Sequence, residues 1–277
     1  MRILILLFLF MKTRSYFYAV LMLLMADSFV NAQTGLDVTP PRSYFVSAPG
    51  SSSSNKIKVT NSSKTNSLTL TVSTHDWEYD TDGNNVIADA GTLKNSAANW
   101  VSISPQSYFS LAPGESQDII VTLKAPALQL DTLNVHTALL FITQTNPVDS
   151  YNQEGAMVKV TLRSGIKLYH RYNSPEDPNV EFQDYRYNKK AKMLELDLEN
   201  NGNMWTDGTV FTELVNISDG RKQTLEDQIL YTLPGDRRSI KIKLPKDLKP
   251  GKYTASSTFS YGNDDTIKMA ELAFVHE

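Results

Sequence analysis

The chain has 277 residues, with 27 lysines and arginines against 30 aspartates and glutamates, a formal charge of −3 and no cysteine. Without a thiol it runs no cysteine nucleophile, holds no cysteine-ligated zinc or iron–sulfur cluster and closes no disulfide. A mildly acidic chain also lacks the basic face that a nucleic-acid partner calls for.

Two apolar runs open the sequence, Ile3 to Phe10 and Tyr16 to Met25, parted by the basic Lys12 and Arg14. Each falls short of the roughly 20 apolar residues of a spanning helix. Val30-Asn31-Ala32 offers modest side chains to a peptidase, so residues 1–32 read as a secretory signal peptide cut near Ala32. Met11 stands where a second start would give a more ordinary signal. The mature chain is thus expected in the periplasm, stabilised by packing alone, with no further stretch able to span a membrane.

Beyond Ala32 the hydrophobic pattern alternates with period two. Ile57-Lys58-Val59-Thr60, Leu68 to Ser73 and Ile119 to Leu123 read as half-buried strands, as do Met157 to Leu162, Met193 to Leu198 and Ser239 to Leu244. Turn residues part them: Ala48-Pro49-Gly50, Asp82-Gly83-Asn84, Ala112-Pro113-Gly114, Asn200 to Asn203, Asp219-Gly220, Pro234-Gly235 and Pro250-Gly251. Ser51 to Asn55 and Asp89 to Ala98 are polar enough to read as loops. No dozen residues hold helical periodicity, so the fold is expected to be all-β, two immunoglobulin-like β-sandwiches in tandem. The polar, proline-punctuated Asn173 to Pro178 sets the boundary, giving domains 33–172 and 173–277. Leu111-Ala112-Pro113-Gly114-Glu115 and Leu233-Pro234-Gly235-Asp236 are one turn device used in each half.

Chemistry is sparse. His75, His136, His170 and His276 belong to no metal or nucleophile motif, and no HExxH, GxSxG or phosphate-binding glycine loop occurs. Asp80-x-Asp82-Gly83-Asn84 starts like a calcium loop, but Gly91 stands where the bidentate glutamate belongs, so it reads as a hairpin turn. The sequence therefore calls for no enzyme, cofactor or metal.

What remains is a strand between two cations. Arg42 follows Pro40-Pro41, and Lys167 lies at the end of the stretch from Met157 to Tyr169, in which Val158, Val160 and Leu162 share one face. An edge strand of this kind is a template for β-augmentation, and two cations nearby can grip a carboxylate. From alternation alone, burial of the three aliphatic residues in their own core explains the pattern as well.

These residues resemble the periplasmic chaperones of the chaperone–usher pilus pathway. Gly165-Ile166-Lys167-Leu168-Tyr169-His170-Arg171 looks like the family's strand-end motif, and Pro41-Arg42-Ser43-Tyr44-Phe45 like its opening segment. Leu111 to Ser116 looks like its Leu-x-Pro-Gly turn, and Leu139-Leu140-Phe141-Ile142 running to Pro147 like its apolar strand. The resemblance spans about residues 36–172, and it implies two sandwiches in a boomerang that lend a strand to incomplete pilus or surface-protein subunits. Arg42 and Lys167 would anchor the subunit's terminal carboxylate. Val158, Val160 and Leu162 would be the donor residues, Arg171 would join the domains, and an outer-membrane usher is the further partner. Departures from the family stand at His136, Ile142 and Ser260, the first and last of which replace the acidic partners expected for Arg171. The alternative reading is a structural or adhesive immunoglobulin-like cell-surface module. Trp77, Trp100 and Trp205 read as core or hinge residues before any sugar platform.

Overall fold

The computed structural model describes residues 35–127, 133–151, 154–262 and 266–277. The expected signal peptide lies outside the described residues. Among them no helix is long and apolar enough to cross a membrane.

The chain is all-β and forms two sandwiches. The first is built from β1 (Leu36–Thr39), β2 (Arg42–Ser47), β3 (Ser52–Asn61), β4 (Leu68–Tyr79), β5 (Asn85–Ala88), β6 (Val101–Ser104), β7 (Tyr108–Leu111), β8 (Ser116–Lys124), β9 (Val135–Gln144), β10 (Val148–Tyr151), β11 (Met157–Val160) and β12 (Arg163–Tyr172). One sheet runs β1-β3-β8-β6, the other β2-β12-β9-β4-β5 with β7 also on β4, and β10 and β11 pair as a separate hairpin. The second sandwich comprises β13 (Val180–Asn188), β14 (Met193–Asn200), β15 (Thr206–Asn216), β16 (Lys222–Thr224), β17 (Gln228–Thr232), β18 (Arg237–Lys243), β19 (Gly251–Tyr261) and β20 (Thr266–His276). Its sheets are β13-β14-β18 and β16-β15-β19-β20, with β17 also on β15.

Alternation places the cores. Ile57 and Val59 of β3, Leu68 and Leu70 of β4, Ile119, Val121 and Leu123 of β8 and Ile166 and Leu168 of β12 close the first interior. Leu194, Leu196 and Leu198 of β14, Ile240 and Ile242 of β18 and Phe259 and Tyr261 of β19 fill the second. A third cluster, Trp77, Val135, Leu139, Phe141 and Tyr169, lies on the other face of the first sandwich and is completed by Leu233, with Met204 and Trp205 packed against it.

Prolines decide where the first strand splits. Neither Pro40 nor Pro41 has an N–H to give a ladder, so the chain leaves one sheet after β1 and enters the other as β2. That switch sets β2 parallel to β12 and pairs Arg42 with Lys167.

The turn device recurs in atomic detail. In the first sandwich Glu115 Oε2 accepts the Ala112 N–H at 2.7 Å, and the buried Asn61 donates from its side chain to Leu111 and Ala112 carbonyls. In the second, Asp236 Oδ2 accepts the Leu233 N–H at 2.7 Å, and the buried Asn200 accepts the Gly235 N–H on its carbonyl. In both, the asparagine side-chain oxygen accepts the N–H two residues on, from Ser63 and Gly202.

The serine run is a correction to the sequence reading. Ser52 to Asn55 is not a loop but the first part of β3, paired with β8 from Lys124 to Val121. A ladder needs only backbone groups, and Ser54 and Thr122 add a cross-strand hydroxyl contact of 2.7 Å.

Candidate functional site

β12 carries the site on its outer face, where Arg163, Gly165, Lys167, Tyr169 and Arg171 alternate with the core residues Ile166 and Leu168. From Lys167 onward β12 is flanked by β9 on one side and β2 on the other. Arg163 to Ile166 has β9 alone, so among the described residues its second edge is unpaired. Gly165 carries no side chain there, and a Cβ would come within 3.1 Å of the Phe141 ring.

The two expected cations are neighbours. Lys167 Nζ donates to the Tyr79 hydroxyl at 3.0 Å and to Asn85 Oδ1 at 2.6 Å, and lies 4.0 Å from the centre of the Trp77 ring. Arg42 sits 4.0 Å over the ring of Tyr231, which comes from the second sandwich. Beside them Tyr44 stacks on Tyr169 at 5.1 Å, and Trp205 meets Tyr44 at a tilt at 5.3 Å and Tyr169 edge-on at 5.6 Å. Neither cation forms an ion pair within the described residues. Burial first, then the positive charges of Arg42 and Arg238, push the Lys167 amine down to about 8. Burial holds the Tyr79 and Tyr169 hydroxyls above their ordinary range, so they act as neutral hydrogen-bonding groups. The cleft is thus a positive, aromatic-walled recess suited to an anion.

The three aliphatic candidates lie upstream of this edge. Val158 is 37 % exposed, and Val160 and Leu162 are half-buried. The stretch from Met157 is not one continuous strand. β11 ends at Val160 in its hairpin with β10, and β12 begins at Arg163. Between them Leu162 donates its N–H to the Gln144 side-chain oxygen at 3.1 Å, while the Gln144 N–H bonds to Leu162 O at 2.8 Å. A side chain has taken over one rung of the ladder.

Arg171 bonds to Glu176 and to the Ser174 carbonyl, both in the segment that follows β12. An acid five residues downstream, missed when partners were sought on distant strands, is its ion-pair partner. Hydrogen bonds between the sandwiches lie at Asn134, whose side chain donates to Asn203 O at 3.0 Å, and at the β4–β5 turn. Asp80 closes that turn by accepting from the Asn84 backbone at 2.8 Å, Lys241 reaches Asp82 at 2.7 Å, and the Ser239 N–H bonds to Thr81 O. No group of three or more metal-ligating side chains occurs among the described residues.

His136 and His170 face each other across the β9–β12 ladder, buried beside Trp100 and Tyr172. His170 Nε2 meets Ser47 Oγ at 2.8 Å, and burial together with His136 pushes the ring down to about 4. An unfolded histidine titrates near 6.5, so between that value and about 4 the unfolded state binds a proton that the folded state refuses. Stability therefore falls as pH drops through this window. His170→Gln is expected to flatten the acid side of the melting-temperature profile, and curves that run parallel to wild type would remove His170 as the source.

Trp77 is fully buried, whereas Trp100 and Trp205 are half-buried, so the three tryptophans offer no shared exposed platform.

No protein-family model matches this sequence, and no curated protein matches it. Among solved structures the chain is similar to the YadV chaperone, at 12 % identity, over 86 % of this chain and 99 % of that one, with a TM-score of 0.49. It is also similar to the E. coli chaperone DraB, at 15 % identity over 86 % and 98 % of the two chains, with a TM-score of 0.47. The same holds for the Salmonella enterica structure of the SafA pilin in complex with the SafB chaperone, at 11 % identity over 89 % and 98 %, TM-score 0.47.

Proposed function

We propose that this chain is a periplasmic chaperone of the chaperone–usher type, which holds an incomplete surface-protein subunit by lending it a strand and gripping its terminal carboxylate. The observation that carries the proposal is the placement of Arg42 opposite Lys167, two cations without an ion pair among the described residues, beside the edge of Arg163 to Ile166 that is unpaired among them. Packing two like charges into an aromatic recess is unfavourable, and a carboxylate relieves it through charge-assisted hydrogen bonds. The client's last strand would lie along the bare edge of β12 with its C-terminus in the cleft. Val158, Val160 and Leu162 would enter the groove left by its missing strand, each burial adding about 1.5 to 3 kcal/mol before ordering costs. In this reading residues 1–32 direct export, 33–172 form the client-binding domain, 173–277 form the second wall of the cleft, and an outer-membrane usher receives the complex. No step of such binding needs a cofactor or a catalytic group.

Lys167 gives the proposal a pH signature. Its free-state value near 8 rises once a carboxylate is bound, so binding takes up a proton above pH 8 and not below it. Affinity for a synthetic peptide of alternating valine and threonine with a free C-terminus is expected to be level below pH 8. Above it, affinity should weaken towards about tenfold per pH unit. Lys167→Arg, which stays protonated throughout, is expected to remove the bend. A titration series with no bend, or one in which the bend survives Lys167→Arg, would count against the carboxylate anchor.

A further inference from the structure

We propose that Arg238, carried by the second sandwich, is the third cation of the carboxylate site, so that one bound anion is held from both sandwiches at once. The proposal rests on the reading of the cleft as a carboxylate anchor and adds to it a residue that the strand-end motif does not contain.

Arg238 lies in β18 on the same side as Ile240 and Ile242, at the end of the strand nearest the cleft. Its guanidinium is 5.0 Å from the centre of the Tyr79 ring, the tyrosine whose hydroxyl receives Lys167. It also donates through Nη1 to the carbonyl of Tyr231, the tyrosine whose ring lies under Arg42. Two tyrosines therefore tie three cations together, two from the first sandwich and one from the second. On its far side the guanidinium packs against the β4–β5 turn, where a Cβ on Gly83 would lie 1.8 Å from Nη2. Gly83 has φ +90°, so the turn both needs glycine and clears room for the arginine.

The arginine is not fully satisfied by this packing. Its Nε is buried and meets no acceptor, and Arg238 makes no ion pair among the described residues. A charged donor buried without an acceptor is more costly than the loss of an ordinary hydrogen bond, so a nearby anion would offset that cost through its charge. Asp236, Asp80 and Asp82 act on its charge from a distance without bonding to it. Asp236 is engaged by the Leu233 N–H, Asp80 by Asn84 and Asp82 by Lys241. The positive field reaches Lys167, whose amine is lowered by burial first, then by Arg42 and by Arg238. The anion of this site is a terminal carboxylate, set against Arg42 where Tyr44, Tyr79, Tyr169, Trp205 and Tyr231 wall a narrow recess that also holds Asp207.

The test compares the valine–threonine peptide as free acid and as C-terminal amide, by calorimetric titration at pH 7 with the full mature chain. Wild type should prefer the acid. Arg238→Gln should cut that preference by about tenfold to a hundredfold, the worth of one charge-assisted hydrogen bond, with the amide affinity unchanged. Arg238→Lys should keep most of it. In Arg238→Gln the Lys167 amine, followed by NMR, should also move up towards an ordinary lysine value. If Arg238→Gln keeps the full preference while Arg42→Ala with Lys167→Ala loses it, the anchor stands and Arg238 is only a strut between the sandwiches. No preference for the acid in wild type overturns both. A Lys167 amine that does not move overturns the three-cation cluster even where the glutamine variant binds poorly through loosened packing.

Discussion

With Arg42 and Lys167 both changed to alanine, client capture is expected to disappear while the protein still melts within a few degrees of wild type. Each cation can supply a charge-assisted hydrogen bond worth about 1.5 to 3 kcal/mol, so removing both lowers affinity by roughly two to four orders of magnitude. The fold loses less. No ion pair among the described residues is broken, the burial and repulsion that lower Lys167 are relieved, and what goes is the contact of Lys167 with Tyr79, Asn85 and Trp77 and of Arg42 with Tyr231. Partly exposed cation–π contacts of this kind contribute about 0.5 to 1 kcal/mol each. Pull-down from the native envelope, paired with a thermal melt, checks both halves. Capture equal to wild type would end the carboxylate-anchor reading, and collapse of the fold would mean that these side chains are structural.

Trp77→Ala is expected to give the largest loss of stability of any change at the cleft. The side chain is 0 % exposed, its indole N–H donates to Ala138 O at 3.0 Å, and its ring meets Tyr79 and Tyr169 edge-on at 5.0 and 5.5 Å. Truncating a buried tryptophan costs about 3 to 5 kcal/mol, and the orphaned carbonyl adds to it. That is a large share of the 5 to 15 kcal/mol that typically holds a domain together, so about half the protein's margin would go. Trp77→Phe keeps most of the apolar volume and loses the N–H, so it should fall between alanine and wild type. Urea denaturation followed by circular dichroism ranks the three. A loss below about 1 kcal/mol for the alanine variant would show that the cleft face is not a packed core.

Much of this architecture was legible in the sequence because alternation and turn chemistry agree. Leu68, Leu70, Leu194 and Leu196 alternate with polar residues, and the asparagine- and glycine-bearing turns lie between strands. Ser52 to Asn55 was not legible as strand, because a polar run paired through its backbone shows no apolar face for periodicity to detect. The juxtaposition of Arg42 and Lys167 leaves no local trace in the sequence, since the parallel strands β2 and β12 that bring them together lie far apart along the chain. The break at Thr161 and Leu162 was hidden because Gln144, remote in sequence, makes it with a side chain. The ion pair of Arg171 was not legible either, because its acid, Glu176, stands in a segment read only as linker. Arg238 left one readable sign, a cation on the core-facing side of a strand whose next two inward residues are isoleucines.

The third apolar cluster has a consequence for the order in which the chain is made. Trp77, Leu139, Phe141 and Tyr169 all precede residue 173, whereas Met204, Trp205 and Leu233, which cover them, come later. A chain that emerges N-terminus first therefore completes the first sandwich before its cover exists. For that interval the nascent protein presents a wet aromatic face, open to unwanted association. The later half of the molecule is accordingly the first partner that the site meets.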